Sequence, residues 1–106
     1  MSPDRVETLW NQGERLGRRL RRPLVLAECV PGGTTTAVAV LTALGLQVGD
    51  LVSGSARQPP QALKQQLVAM GLQRAQLPHD PSPRAVLAAV GDPFQAVAAG
   101  LLCGAA

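Results

Sequence analysis

The chain has 106 residues, enough for one small domain with a modest core. A composition of 46% hydrophobic and 16% charged residues excludes a disordered chain, and no apolar run reaches the ~20 residues that a bilayer crossing needs, so no membrane partner is expected. The net charge of +3 rests on one cluster, Arg15, Arg18, Arg19, Arg21 and Arg22; it has no interleaved aromatics to stack bases, so it reads as a solvated helix end and no nucleic acid is expected.

Aromatic residues make up 2% of the chain, so its core must be built from Ala, Val and Leu. The two cysteines, Cys29 and Cys103, lie far apart without a CxxC pair. They support neither a disulfide framework nor a zinc site and read as small buried hydrophobes. No signal peptide is visible, and the expectation is a cytoplasmic protein with free thiols. No metal or organic cofactor is expected.

In chain order, Ser2-Pro3-Asp4 opens a helix, with Ser2 as N-cap and Pro3 at the first position. Val6, Leu9, Trp10, Leu16 and Leu20 give it a partial apolar stripe, which Gly13 and Gly17 weaken. Trp10 reads as a packing anchor. Pro23 ends the helix. Leu24 to Ala27 then reads as a strand buried on both faces, with Glu28 at its carboxyl end. Pro31-Gly32-Gly33 turns the chain into a helix from Thr34 to Leu44, stopped by Gly45, whose face of Ala37, Val38, Val40, Leu41 and Leu44 is expected against a sheet.

Leu46 to Val52 suggests a second, weaker strand broken at Gly49-Asp50, followed by the polar loop Ser53 to Pro60. Hydroxyls, Gly54 and Arg57 in that loop could hold a phosphate or ribose, although most such loops are connectors. Gln61 to Met70 predicts a helix with Leu63, Leu67 and Met70 on one face and Gly71 as its stop. Leu72 to Asp80 reads as a connector. His79 beside Asp80 invites a general-base role, but no nucleophile is near, and a polar loop or an Asp80 N-cap is favoured. Ser82 to Val90 is a short helix ended by Gly91. Asp92 caps a last helix with Pro93 at its first position, and Ala96, Ala99, Gly100 and Cys103 form a small-residue face for close packing.

These elements predict a helix-rich α/β fold, a fragment of a three-layer Rossmann-like parallel sheet, with residues 1–106 as one incomplete domain. The apolar run from Ala96 to Ala106, with no polar tail, points to a piece of a longer protein. Missing strands would leave apolar surface exposed, so a homo-oligomer is expected.

Strand, glycine-rich turn and helix start together make an anion site: glycines let backbone approach a ligand, and the helix's first N–H groups and positive dipole end favour a phosphate or carboxylate. Glu28-x-x-x-Gly32-x-Thr34-Thr35 before an Ala/Val/Leu helix resembles the signature of the nicotinate-nucleotide:dimethylbenzimidazole phosphoribosyltransferase family, in its archaeal and cyanobacterial branch. Leu87 to Gly100 is similar to a second segment of that family, in the right order. The resemblance implies transfer of phosphoribose from nicotinate mononucleotide to dimethylbenzimidazole or a related aromatic base, for the lower ligand of cobamides, without a cofactor. It places Glu28, Gly32 and Gly33 on the wall that contacts nicotinate and phosphate, Thr34 and Thr35 at the helix start behind them, and Lys64 on the phosphate. Lys64 is the only lysine in the chain. The family's catalytic glutamate falls beyond Ala106, so no residue here is assigned as general base. The bacterial branch has Asn where Gly33 stands and Met-Gly-Ile where Cys29-Val30-Pro31 stand; the accepted base stays open, adenine included. The alternative from a different class is a catalytically incomplete domain that binds a nucleotide or a protein.

Overall fold

The computed structural model describes residues 1–49, 51–52 and 60–106. Five helices form among them: α1 (Pro3–Arg19), α2 (Gly33–Ala43), α3 (Gln61–Ala75), α4 (Pro83–Val90) and α5 (Pro93–Ala105). The described residues are 65% helical and contain no strand. The expected α/β architecture with a Rossmann-like parallel sheet is therefore not what the chain adopts. Leu24 to Ala27 has no regular secondary structure and pairs with no strand among the described residues. A strand is held by its ladder, and without one its backbone groups turn to water. Leu24, Val25 and Leu26 are accordingly 52%, 92% and 42% exposed instead of buried on two faces. The described residues of Leu46 to Val52 form no strand either.

The helix starts follow local chemistry. The Ser2 hydroxyl accepts from the Arg5 amide and the Ser82 hydroxyl from the Ala85 amide, so Ser82, not Asp80, caps α4. Asp92 and Gln95 form a reciprocal capping box at the start of α5. Helix α2 ends in a Schellman motif: Gly45 takes φ +85°, its amide bonds Thr42 O, and the Leu46 amide bonds Leu41 O.

The molecule is organised by a close crossing of α1 and α5. A Cβ built on Gly13 or Gly17 would strike the α5 backbone at Val97 or Leu101, and one built on Gly100 or Gly104 would strike the α1 backbone at Trp10 or Glu14. Two small-x-x-x-small rows thus face each other, backbone on backbone. The glycines of α1, read from sequence as a weakness, are its contact surface. The expected small face of α5 does pack closely through Gly100, whereas Cys103 is exposed, as is Cys29. Neither cysteine is the buried hydrophobe expected.

Beside this crossing Val6, Leu9, Leu87 and Ala96 make one core cluster, joined by the partly buried Trp10. The Arg84 guanidinium lies 4.4 Å from the Trp10 ring centroid and 3.1 Å from Glu7 Oε2, which ties α4 to α1. Leu16, assigned to the apolar stripe, is 51% exposed. The arginines at the end of α1 are exposed, and Arg21 Nη1 reaches the carbonyls of Arg18 and Leu20, the negative end of the helix.

A second cluster, Val38, Ala39 and Val68, with Leu72 and Val90 against it, holds α2 and α3 together under α4. Helix α2 thus buries part of its apolar face on helices where a sheet was expected. On α3 the predicted face is reversed: Leu63, Leu67 and Met70 are exposed, while Val68 and Leu72 point inward. The helix continues through Gly71 to Ala75 and stops at Gln76, which takes φ +46°. One glycine costs a helix only about 1 kcal/mol, which the packing of Leu72 offsets.

These contacts separate two kinds of glycine. Gly100→Ala is expected to destabilise the fold by about 3 kcal/mol, because backbone atoms of α1 cannot move aside for a methyl group. Gly71→Ala, whose Cβ would meet nothing within 4 Å, is expected to stabilise it by about 0.5–1 kcal/mol. Urea unfolding of the two variants checks the contrast.

Candidate functional site

The turn that opens α2 is fixed by its sequence. The Gly33 amide donates to Val30 O at 3.0 Å, closing a four-residue turn with Pro31 at its second position. Gly32, at the third, takes φ +78° and ψ 0°. These are type II values, which a side chain other than glycine adopts only with strain. No side chain caps α2 and its first turn carries no acid, so this helix start offers its dipole to the cavity in front of it.

The six residues that the resemblance assigns to substrate binding line one cavity. It measures about 740 Å³ and is bounded by Glu28, Gly32, Gly33, Thr34 and Thr35 from the turn and by Lys64 from α3, with Cys29, Val52 and Pro60 among its other walls. Glu28 and Lys64 are far apart in sequence, and the packing of α3 on α2 brings them to one space. The loop expected to add hydroxyls and Arg57 lies outside the described residues.

Lys64 is the unusual member. Its Nζ is buried and has no hydrogen-bond partner among the described residues. An ammonium group stripped of water and left unpaired costs several kcal/mol, so such a group is normally completed by an anion or by polar partners. Glu28, an exposed residue, brings its carboxyl group over Gly33. A Cβ on Gly33 would fall 2.8 Å from Glu28 Cδ and closer still to Oε1. Gly33 is thus required for the carboxylate to lie against the helix start. Within the cavity the opposed charges of Glu28 and Lys64 suit a ligand with an anionic end and a cationic or hydroxyl-bearing end.

Behind the turn sits a polar knot that sequence reading missed. Thr36 Oγ1 lies 2.7 Å from Asp92 Oδ2 and 2.9 Å from Gly33 O. A hydroxyl has one proton, and the charged carboxylate is the stronger acceptor. The Gln95 amide donates to the same hydroxyl at 3.4 Å. The capping box of α5 therefore grips the first turn of α2. The sequence signal was the box itself; the partner on α2 had none. His79 and Asp80 are exposed and lie outside the cavity. Among the described residues no group of three or more His, Cys, Asp or Glu side chains could hold a metal ion, and no helix is long and apolar enough to cross a membrane.

No family model matches the chain. Nearly all of it is similar to UPF0284 proteins. It is 73% identical over 105 residues to one from Parasynechococcus marenigrum (strain WH8102), covering 99% of this chain and 27% of that protein. To one from Prochlorococcus marinus (strain MIT 9313) it is 68% identical, covering 99% and 26%. To one from Gloeobacter violaceus it is 47% identical over 104 residues, covering 95% and 28%. The chain spans about a quarter of the length of the curated relatives it matches.

The two glycines of the turn carry different constraints. Gly32→Ala is expected to cost about 1–2 kcal/mol in stability through its positive φ. Gly33→Ala meets only the end of a flexible side chain, so its stability is expected within about 0.5 kcal/mol of the parent while Glu28 swings off the helix start. Thermal unfolding, with the Glu28 side-chain resonances as the second readout, distinguishes the two.

Proposed function

We propose that this cavity binds the anionic parts of a nucleotide, and that the chain supplies the nucleotide-binding portion of a phosphoribosyltransferase acting on nicotinate mononucleotide. The observation that carries the reading is the buried Lys64 Nζ, without a hydrogen-bond partner among the described residues, in the same cavity as the uncapped start of α2. The 5′-phosphate pairs with Lys64 and the Thr34 N–H, where charge-assisted hydrogen bonds are strong. Glu28 faces the ribose hydroxyls or the cationic pyridinium ring.

In the transfer the bond between ribose C1′ and the pyridinium nitrogen breaks, and nicotinate leaves with the electron pair. A nitrogen of the incoming aromatic base attacks C1′, and the base's other ring nitrogen gives its proton to a carboxylate. Glu28 is the one acid lining the cavity among the described residues. It is placed as a binding residue, and the general base is expected from another part of a longer protein. A second reading is favoured by that same scarcity of carboxylates: a domain that binds a nucleotide without turning it over.

Titration of the isotopically labelled chain with nicotinate mononucleotide, nicotinate and inorganic phosphate tests the site. Amide shifts are expected at Gly32 to Thr35 and Lys64 with the mononucleotide and, more weakly, with phosphate. Lys64→Met is expected to weaken mononucleotide binding by about tenfold or more, the loss of one charge-assisted contact, while the protein without ligand gains stability by about 1 kcal/mol or more because an unpaired buried cation is gone. No shift with either ligand at millimolar concentration rejects the site. Release of nicotinate on adding dimethylbenzimidazole separates the transferase from the binding domain.

A further inference from the structure

On the other side of the α2 start lies a second concavity, a cleft of about 390 Å³ between α2, α3 and α4. Thr35 lines both spaces and forms part of the wall between them. The cleft differs in character from the Lys64 cavity. Its walls are mostly aliphatic, with Ala39, Leu67, Val68 and Val90 beside Thr35 and Thr36, and no aromatic residue among them. Gly71 lines it, and a Cβ there would meet nothing within 4 Å, so a larger side chain has open space to enter. At the rim stands Arg74, exposed, with no acidic partner among the described residues.

We propose that this cleft is a second ligand site, for a small aliphatic monocarboxylate whose branched body lies on the Ala39, Val68 and Val90 wall and whose carboxylate pairs with the Arg74 guanidinium. The volume falls within the range of small-molecule sites and is too small for a packed helix. The guanidinium presents parallel N–H donors that match a carboxylate in two-point geometry. The shape and lining favour a branched aliphatic body over a planar ring, because no side chain is present for stacking. The proposal is independent of the nucleotide reading, since none of Lys64, Glu28 and Gly33 lines the cleft.

The probe is 3-methylbutanoate, titrated into the labelled 106-residue chain up to roughly 20 mM, because ligands of this size reach about millimolar affinity. Saturable amide shifts are expected at Ala39, Val68 and Val90. The uncharged isostere 3-methylbutanamide is expected to bind about fivefold more weakly, and Arg74→Gln to weaken the acid by a similar factor, the effect of one exposed charge pair. Gly71→Leu, which fills the cleft, is expected to abolish the shifts while the circular dichroism spectrum is retained. Lys64→Met is expected to leave them unchanged. Arg74→Gln alters an exposed side chain and keeps the test decisive if the leucine variant fails to fold. Equal binding of acid and amide, unaltered binding to Gly71→Leu, shifts centred on Glu28 to Thr34, or no saturation at all would each overturn the proposal. So would concentration-dependent shifts at the cleft without ligand, which would assign it to a second copy of the chain.

Discussion

The backbone-on-backbone crossing of α1 and α5 is the contact from which the placement of the site follows. Gly13 and Gly17 meet the carbonyl side of α5 at Val97 and Leu101, and Gly100 and Gly104 meet α1 at Trp10 and Glu14. Such an approach leaves no latitude for rotation about either helix axis, because a turn in any direction drives a side chain into the facing backbone. The start of α5 is thereby fixed, and with it Asp92 and Gln95. Those two residues hold Thr36, and Thr36 lies one turn inside α2. The orientation of the turn at Gly32 and Gly33 thus depends on glycines elsewhere in the molecule that touch no part of the cavity.

A division of labour results. Helices α1, α4 and α5 form a scaffold with the tighter core, in which Val6, Val86 and Ala96 are almost fully buried. Helices α2 and α3 pack more loosely around Val38, Ala39 and Val68 and carry both cavities. The exposed apolar segment Leu24 to Leu26, with the exposed Leu102 nearby on the same cleft at the end of α5, marks surface of the kind that partner chains or further chain cover.

How much of this could be read from the sequence follows from the range of the forces involved. Caps were legible because they are local: Ser2, Pro3, Asp92 and Pro93 announce helix starts within four residues, and each starts a helix in the structure. The residues of the Gly32 turn could be read together because they are contiguous, whereas Lys64 came to the same cavity only through the family resemblance. What failed needed knowledge of distant partners. An apolar run such as Leu24 to Ala27 becomes a strand only if another strand is there to pair with it, and hydrophobicity alone does not say so. The inward face of α3 went wrong because leucines lie on both sides of that helix, and the choice was made by the position of Val38 on α2. Gly13 and Gly17 look destabilising in one helix and become necessary only against the matching pair on α5.

In the proposed site the anion contact falls to Lys64 rather than to Glu28. A carboxylate near a helix start has a sufficient structural explanation, since the dipole alone favours it. A lysine whose buried ammonium group finds no hydrogen-bond partner among the described residues has none there, and an apolar side chain of similar length would pack at lower cost. Retaining the cation at that position makes physical sense when something negatively charged occupies the cavity for part of the time. The uncapped first turn of α2 is consistent with this, because a capping aspartate at position 32 would satisfy the same N–H groups. Among the described residues, the missing cap on α2 and the missing partner for Lys64 thus point into one space, and the type II geometry of Gly32 keeps the backbone there open to a ligand.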